Sequence, residues 1–376
     1  MTFGEMVILK KLATVDEVEE VLRHKAKLDA IGALRSVAQI MQERGLLTVI
    51  QIQDVLDAIE DLAVNPEDQP IPGYQIEGKL GQGMMGTVYR ARQKGLDRPV
   101  AIKILAAHLA TQPEYLARFQ IECQSAARIS HPNIVRALTA GEAGDFYYLV
   151  MEYVEGFTAG QMLQAGHRFT ERETVDVGLQ MARALGAMYE LKFLHRDIKP
   201  SNVMITDEGK TAKLCDLGLA KDLESAKSVT RKGVALGTPY YVAPEMIEAR
   251  LEPDIRCDLY SLGATLFHMA TGSPPIEGKE AREIMENSLA GKVADPLELN
   301  PRLSDAMAVF LRVALATDRE DRYQTPEELI GALEAVKTKE TPPLPMRERL
   351  TMTVNRIKGI LKGRFFRRQS WQRRQE

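Results

Sequence analysis

The sequence predicts an α+β fold in which one large mixed unit follows a small all-helical module. Three observations carry that reading. Residues 1–63 set apolar residues at helical spacing and contain no proline. Asn65-Pro66-Glu67-Asp68-Gln69-Pro70-Ile71-Pro72-Gly73 then interrupts any helix, because proline lacks the N–H and its ring clashes with the preceding turn. From Tyr74 to about Lys337 strand-like and helical stretches succeed one another, until Thr341-Pro342-Pro343-Leu344-Pro345 makes a second break. The expected organisation is a helical module over 1–63, a linker over 64–73, the mixed unit over 74–337 and a Pro-containing linker with a basic tail over 338–376.

With 376 residues the chain has room for two or three domains, and 45% hydrophobic against 27% charged residues is enough to bury a core. Cys123, Cys215 and Cys257 are far apart and form no CxxC pair, which excludes a disulfide framework or a cysteine zinc site and fits a reducing compartment. Cys215 directly precedes Asp216; it reads as a small buried strand residue, with a reactive thiol as the alternative. No run of 18 apolar residues occurs, and the first residues lack a signal peptide's basic start, so a cytoplasmic protein is expected. Charge is unevenly spread. Residues 341–376 hold ten Lys/Arg against two Glu, a local +8, and the rest of the chain carries −11.

Within the module, Leu12-Ala13-Thr14-Val15 matches Leu46-Leu47-Thr48-Val49 at an offset of 34, and Val21-Leu22 matches Val55-Leu56. Each unit reads as helix, turn, Thr at an N-cap, then a second helix. Val15, Val18, Val21 and Leu22 form one expected apolar face, and Val49, Ile52, Val55 and Leu56 the other. Two stacked helical hairpins satisfy both. They either bind a ligand or partner or simply pack on the rest of the protein.

Leu80-Gly81-Gln82-Gly83-Met84-Met85-Gly86-Thr87-Val88 has G-x-G-x-x-G spacing, suited to a tight turn with N–H groups close to phosphates. A dinucleotide fold would follow it with a helix. Here Thr87-Val88-Tyr89-Arg90-Ala91 alternates as a strand, and Pro99-Val100-Ala101-Ile102-Lys103-Ile104-Leu105 is a second strand. Further along, His195-Arg196-Asp197-Ile198-Lys199-Pro200-Ser201-Asn202 is followed by Asp216-Leu217-Gly218. These residues supply one carboxylate to engage a hydroxyl, plus an amide and a carboxylate to hold a hard cation such as magnesium, a set suited to phosphoryl transfer.

In these motifs the chain resembles the bacterial-type (eukaryotic-like) serine/threonine protein kinases, whose catalytic loop reads H-R-D-x-K-P-x-N and whose Gly-rich hairpin precedes a Val-Ala-Ile-Lys strand. The resemblance runs from about 74 to 337 and implies a bilobal kinase fold, a β-rich N-lobe over about 74–152 and a helical C-lobe over about 155–337. It implies ATP held by Leu80, Gly81, Gly83, Gly86, Val88, Ala101, Lys103, Glu122, Met151, Glu152, Val154 and Met204, with Lys103 paired to Glu122. It implies Asp197 as catalytic base, Lys199 as the cation on the moving phosphoryl group, and Asn202 and Asp216 as ligands of Mg2+. Leu217 departs from the family's usual phenylalanine, which alters the packing of the metal-binding turn without removing a catalytic group.

Gly237-Thr238-Pro239-Tyr240-Tyr241 and Ala243-Pro244-Glu245 resemble the end of an activation segment, with Thr238 near Asp197 and Lys199. Thr230, then Ser228 and Ser225, are the candidate phosphosites, with Arg196 placed to pair a phosphate. By resemblance Asp258 lies on the helix that anchors the catalytic loop, and Arg322 pairs with Glu245.

The expected activity is transfer of the γ-phosphoryl of ATP to protein serine or threonine hydroxyls, with self-association for trans-autophosphorylation. Two alternatives are a nucleotide-binding pseudokinase scaffold signalling through the N-terminal helices, and a small-molecule kinase. The second typically lacks the Gly-Thr-Pro-Tyr-Tyr and Ala-Pro-Glu elements. In the tail, Leu350, Val354, Ile357, Leu361 and Phe365 recur at helical spacing among Arg and Lys. That pattern suits an anionic membrane surface, giving a peripheral location, or an acidic partner; a solvated tail is the alternative. No nucleic acid is expected, since no reader motif accompanies the charge.

Overall fold

The computed structural model describes residues 3–30, 37, 40–41, 44–48, 51, 55, 71–83, 86–110, 113–143, 146–206, 208, 211–216, 239–248 and 252–343. The chain divides into two units, one of Met1–Ala110 with Gly141–Val150, the other of Thr111–Ala140 with Met151–Glu376.

The first unit opens with α1 (Phe3–Leu9) and α2 (Val15–Ala30). Thr14 caps α2 in a reciprocal box: its N–H donates to Glu17 at 2.8 Å and the Glu17 N–H returns to its hydroxyl. Thr48 and Gln51, 34 residues on, make the same pair of bonds. The turn before each cap repeats as well. Lys10 and Leu12 N–H groups donate to the Met6 and Val7 carbonyls, as Arg44 and Leu46 do to Ile40 and Met41. Met6, Val7 and Val21 are buried, and so are Ile40, Met41 and Val55 at the same offset.

The apolar face of α2 is narrower than the sequence suggested. Val18 and Val21 are buried, whereas Val15 is 52% and Leu22 46% exposed. A stripe at i and i+3 suffices for this small core, and Leu22 lies a further 100° round the helix.

A five-stranded sheet follows, in the order β1-β2-β3-β5-β4: β1 (Tyr74–Gly83), β2 (Gly86–Gln93), β3 (Arg98–Leu105), β4 (Ala137–Ala143) and β5 (Phe146–Glu152). Val100, Ile102 and Ile104 are buried along β3 together with Ala101, Lys103 and Leu105, so β3 is covered on both faces, as a central strand should be.

The second unit is mostly helical. It contains α3 (Pro113–Arg128), the short strand β6 (Gly156–Thr158), α4 (Ala159–Gln164) and α5 (Glu171–Glu190). The hairpin β7 (Val203–Thr206) and β8 (Ala212–Leu214) joins β6 in a three-stranded sheet. Then come α6 (Pro244–Glu248), α7 (Ile255–Thr271), α8 (Ala281–Leu289), α9 (Asp305–Ala314) and α10 (Pro326–Thr338). α7 is buried along nearly its whole length, and α5, α9 and α10 pack around it and one another through Leu185, Met188, Leu262, Leu266, Phe310, Leu329 and Leu333. Caps define the ends: Thr170 boxes α5 with Glu173, Asp254 starts α7, and Gly272 ends it in the left-handed conformation.

Candidate active site

In the first unit, β1 and β2 close on Gly83 and Gly86, which face each other across the hairpin. A Cβ on Gly86 would strike the Ile104 carbonyl oxygen, so no other residue fits there. Gly81 lies opposite Val88, and Val88 opposite Lys103 in the next strand. Ala101, two residues before Lys103, shares its strand face, and both are buried. Leu80 is 44% exposed on β1. Met84 and Met85 lie outside the described residues.

In the second unit Glu122 is buried on α3. Met151 and Glu152 end β5, Val154 follows, and Met204 on β7 faces Lys213 and Thr158 across the sheet. Glu152 is held firmly. Its N–H donates to the Arg136 carbonyl, and its carboxylate accepts from the Arg136 N–H at 3.0 Å and from Lys213 Nζ at 2.7 Å.

The loop His195–Asn202 is built on a single buried carboxylate. Asp258 of α7 accepts the N–H groups of His195 and Arg196, each at 2.7 Å. Arg196 is left-handed, with φ at 60°, a conformation that costs a non-glycine residue about 1–2 kcal/mol. Two charge-assisted bonds offset that cost. His195 is fully buried, and burial holds its imidazole below the usual range although Asp258, Asp197 and Asp216 pull the other way. Its ring is therefore neutral. Nδ1 accepts the Asp197 N–H at 3.3 Å, which leaves the proton on Nε2 facing the Cys215 carbonyl.

Asp197 is half-enclosed, its side chain 14% exposed. Lys199 Nζ donates to Asp197 Oδ2 at 2.9 Å, and Asn202 Nδ2 donates to the Asp197 carbonyl at 2.8 Å and to Oδ2 at 3.2 Å. Asn202 ends the 3-10 turn Pro200–Asn202, and its carbonyl accepts the Cys215 N–H. That bond sets residue 202 beside the end of β8, where Asp216 stands in a left-handed turn with φ at 56°. With Nδ2 spent on Asp197, Asn202 offers its oxygen to a cation, and Asp216 offers a carboxylate. Both are hard donors that fit magnesium shared with phosphate oxygens. Among the described residues no cluster of three or more His, Cys, Asp or Glu could hold an ion by itself.

Beyond the loop, Glu245 and Arg322 form the expected pair, bidentate at 2.7 and 2.8 Å and almost wholly buried. Arg322 also donates to the Ala316 and Thr317 carbonyls and lies over the Tyr260 ring. Tyr241 is anchored to α7 twice, through Ser261 Oγ to its carbonyl at 2.7 Å and through a 2.7 Å bond between its hydroxyl and His268 Nδ1. These anchors border a cavity of about 610 Å³ that reaches Asp197 and Lys199.

Some of this was invisible in the sequence. The tethers Tyr241–His268, Ser261–Tyr241 and Lys213–Glu152 join residues 20 to 61 apart, and no spacing announces them. Cys215 is half-buried rather than buried, and contributes through its main chain. Leu217, Ser225, Ser228, Thr230 and Thr238 lie outside the described residues, as does the tail beyond 343.

A Gly-rich hairpin with a buried strand lysine, and an Asp-Lys-Asn loop beside a second aspartate, are the defining parts of one class of fold. The family model for the protein kinase domain matches residues 74–332, and the chain belongs to the protein kinase family. Its likeness is to bacterial serine/threonine kinases. It is 36% identical to the serine/threonine-protein kinase PrkC of Bacillus subtilis over 256 residues, 68% of this chain and 39% of that protein. It is 35% identical to PknB of Mycobacterium tuberculosis over 278 residues, 72% of this chain and 44% of that one. The chain thus spans about two fifths of the length of these relatives. Among solved structures, the PknI kinase domain of M. tuberculosis matches with a TM-score of 0.55 at 28% identity, covering 70% of this chain and 96% of that one. Rad53 1–466 in complex with AMP-PNP matches with a TM-score of 0.58 at 25% identity, covering 69% of this chain and 64% of that one.

Proposed function

We propose that the chain is an active serine/threonine protein kinase that transfers the γ-phosphoryl of ATP, with Mg2+, to protein hydroxyls. The observation that carries this reading is the environment of Asp197: a carboxylate oriented by Asn202, paired with Lys199, and fixed by a loop pinned at two points to Asp258. In the reaction the acceptor oxygen forms a bond to the γ-phosphorus while the bond to the bridging oxygen of ADP breaks. Asp197 takes the hydroxyl proton as it is released, and Lys199 moves to the phosphoryl oxygens as their charge shifts. Lys103 and the Gly81–Gly86 turn position the phosphates; Leu80, Val88, Ala101, Met151, Glu152, Val154 and Met204 are the proposed nucleotide contacts, and Glu122 is the proposed partner of Lys103. Asn202 and Asp216 would hold magnesium, which neutralises phosphate charge.

Incubation with labelled ATP and magnesium tests the reading. Transfer to the chain itself or to a protein substrate is expected, and Asp197→Asn should lower it by about 10²–10⁴-fold. Wild type without transfer, or an unimpaired Asp197→Asn, favours the nucleotide-binding scaffold instead. Mass spectrometry of the same sample assigns the phosphosites, of which Thr230 and then Ser228 are proposed. Arg196 supports them: its Nε is buried with no hydrogen-bond partner among the described residues.

No described helix is long and apolar enough to cross a membrane. The basic tail is proposed to sit on an anionic membrane surface, each Lys or Arg near it adding about 1 kcal/mol. The 376-residue chain should float with anionic liposomes and a form ending near residue 340 should not; equal flotation rejects the idea.

A further inference from the structure

Helix α2 carries a second apolar stripe that the N-terminal module leaves in solvent. Val18 and Val21 face the module core, whereas Val15 is 52% and Leu22 46% exposed, and Ala26 is exposed as well. At about 100° per residue Val15, Leu22 and Ala26 fall within about 40° of arc, apart from the buried stripe. Asp16, Glu20 and Arg23 share the flank away from Val18 and Val21, and all three are exposed.

Charge is divided along the same helix. Residues 15–22 hold Asp16, Glu17, Glu19 and Glu20 and no Lys or Arg, while residues 23–30 hold Arg23, Lys25 and Lys27 against Asp29. The repeat does not impose this division, since the matching stretch 49–63 holds Asp54, Asp57, Glu60 and Asp61 with no Lys or Arg. Pairing within the chain leaves these charges accessible. Arg23 and Glu19 approach only to 3.9 Å, an exposed pair that contributes little. Glu20 accepts from Arg44 at 2.8 Å, yet its side chain stays 67% exposed.

Such a face is complementary to itself when two copies meet head to tail along the helix. About a two-fold axis at the middle of α2, the partner's Ala26 comes opposite Val15, small against large, and the two Leu22 side chains meet beside the axis. The charged flanks then face each other, and the partner's Arg23 falls between Asp16 and Glu20. A parallel pair would set acid against acid. We propose that α2 joins two copies of this chain in an antiparallel pair, through Val15, Leu22 and Ala26, with Asp16 and Glu20 on the partner's Arg23. One helix a side falls short of the roughly 1,200 Å² that stable interfaces bury, so the dimer is weak, with a Kd of about 10–100 µM.

Sedimentation equilibrium of the 376-residue chain over about 1–300 µM tests the pairing. Wild type should pass from monomer to dimer across that range. Leu22→Asp should raise Kd at least about tenfold and leave the melting temperature unchanged, because Leu22 lies outside the module core. Two charge variants at exposed positions serve if Leu22→Asp does not fold. Arg23→Glu alone and the double variant Asp16→Lys/Glu20→Lys should each associate at least about tenfold more weakly than wild type, since like charges then meet. Mixed in equal amounts, the two should pair with a Kd within about threefold of the wild-type value. A division of charge that served only the helix dipole gives no such recovery on mixing. Wild type that stays monomeric throughout overturns the proposal. So does a dimer that the folded Leu22→Asp variant keeps, or a mixture that associates no better than its components.

Discussion

Asp258 is buried beyond the reach of solvent, and burial raises its carboxyl above the usual range. The main-chain N–H groups of Arg196 and His195 oppose that rise. The two bonds hold the geometry, since each carboxylate oxygen takes one N–H of the turn that Arg196 makes in the left-handed conformation. Asp258→Ala would leave both donors buried and unpaired. Hydrogen bonds to a charged group contribute about 1.5–3 kcal/mol each, so a loss of roughly 3–6 kcal/mol is expected in denaturant unfolding. Asp258→Asn keeps one acceptor oxygen and should lose about half as much. In both, phosphate transfer should fall more than nucleotide binding, since the residues displaced are Arg196 and Asp197. Equal loss of the two would place Asp258 in general stability only.

At the scale of elements, two glycines in helices of the second unit predict opposite outcomes for the same substitution. A Cβ on Gly263 in α7 would sit 2.7 Å from the Ala314 Cβ on α9, closer than real side chains approach. Overpacking of that kind costs about 1–3 kcal/mol, more than the roughly 1 kcal/mol of helix propensity that alanine adds. A Cβ on Gly331 in α10 meets nothing within 4 Å. Gly331→Ala should therefore raise the melting temperature and Gly263→Ala lower it; two shifts of one sign would contradict this packing. The sequence made the local elements legible for a related reason. The Gly81–Gly86 turn, the Asp197-Lys199-Asn202 loop and the 34-residue repeat each place their chemistry within a few residues. Arg322–Glu245 and the anchoring helix of Asp258 came through family likeness, since 77 and 62 or 63 residues separate the partners. The Tyr241–His268 tether came through neither, because a histidine at the end of a buried helix looks like any satisfied core residue until the fold brings Tyr241 to it.

For the whole molecule, buried and half-buried titratable groups set a pH window of stability. His195, His268 and His131 are each held below the usual imidazole range, by burial first in every case. Below about pH 6.5 the unfolded chain therefore takes up protons that the folded chain refuses, and stability falls as pH falls. Asp258 acts in the opposite sense, since its raised carboxyl makes protonation easier in the folded state; it can soften the acid limb only near its own pKa. On the alkaline side burial pushes the Cys257 thiol well up, so above about pH 8.5 the unfolded chain releases a proton that the folded chain keeps. Stability then falls as pH rises. Melting temperatures should accordingly be level between about pH 7 and 8.5 and decline on both sides. Each histidine contributes at most about 1.4 kcal/mol per pH unit within its shifted range. His268→Gln keeps a hydrogen-bond partner for Tyr241 but removes one titration, so its acid limb should be shallower than that of wild type. Melting temperatures that climb from pH 7 to pH 5.5, or an acid limb unchanged in His268→Gln, would show that these buried imidazoles do not govern the window.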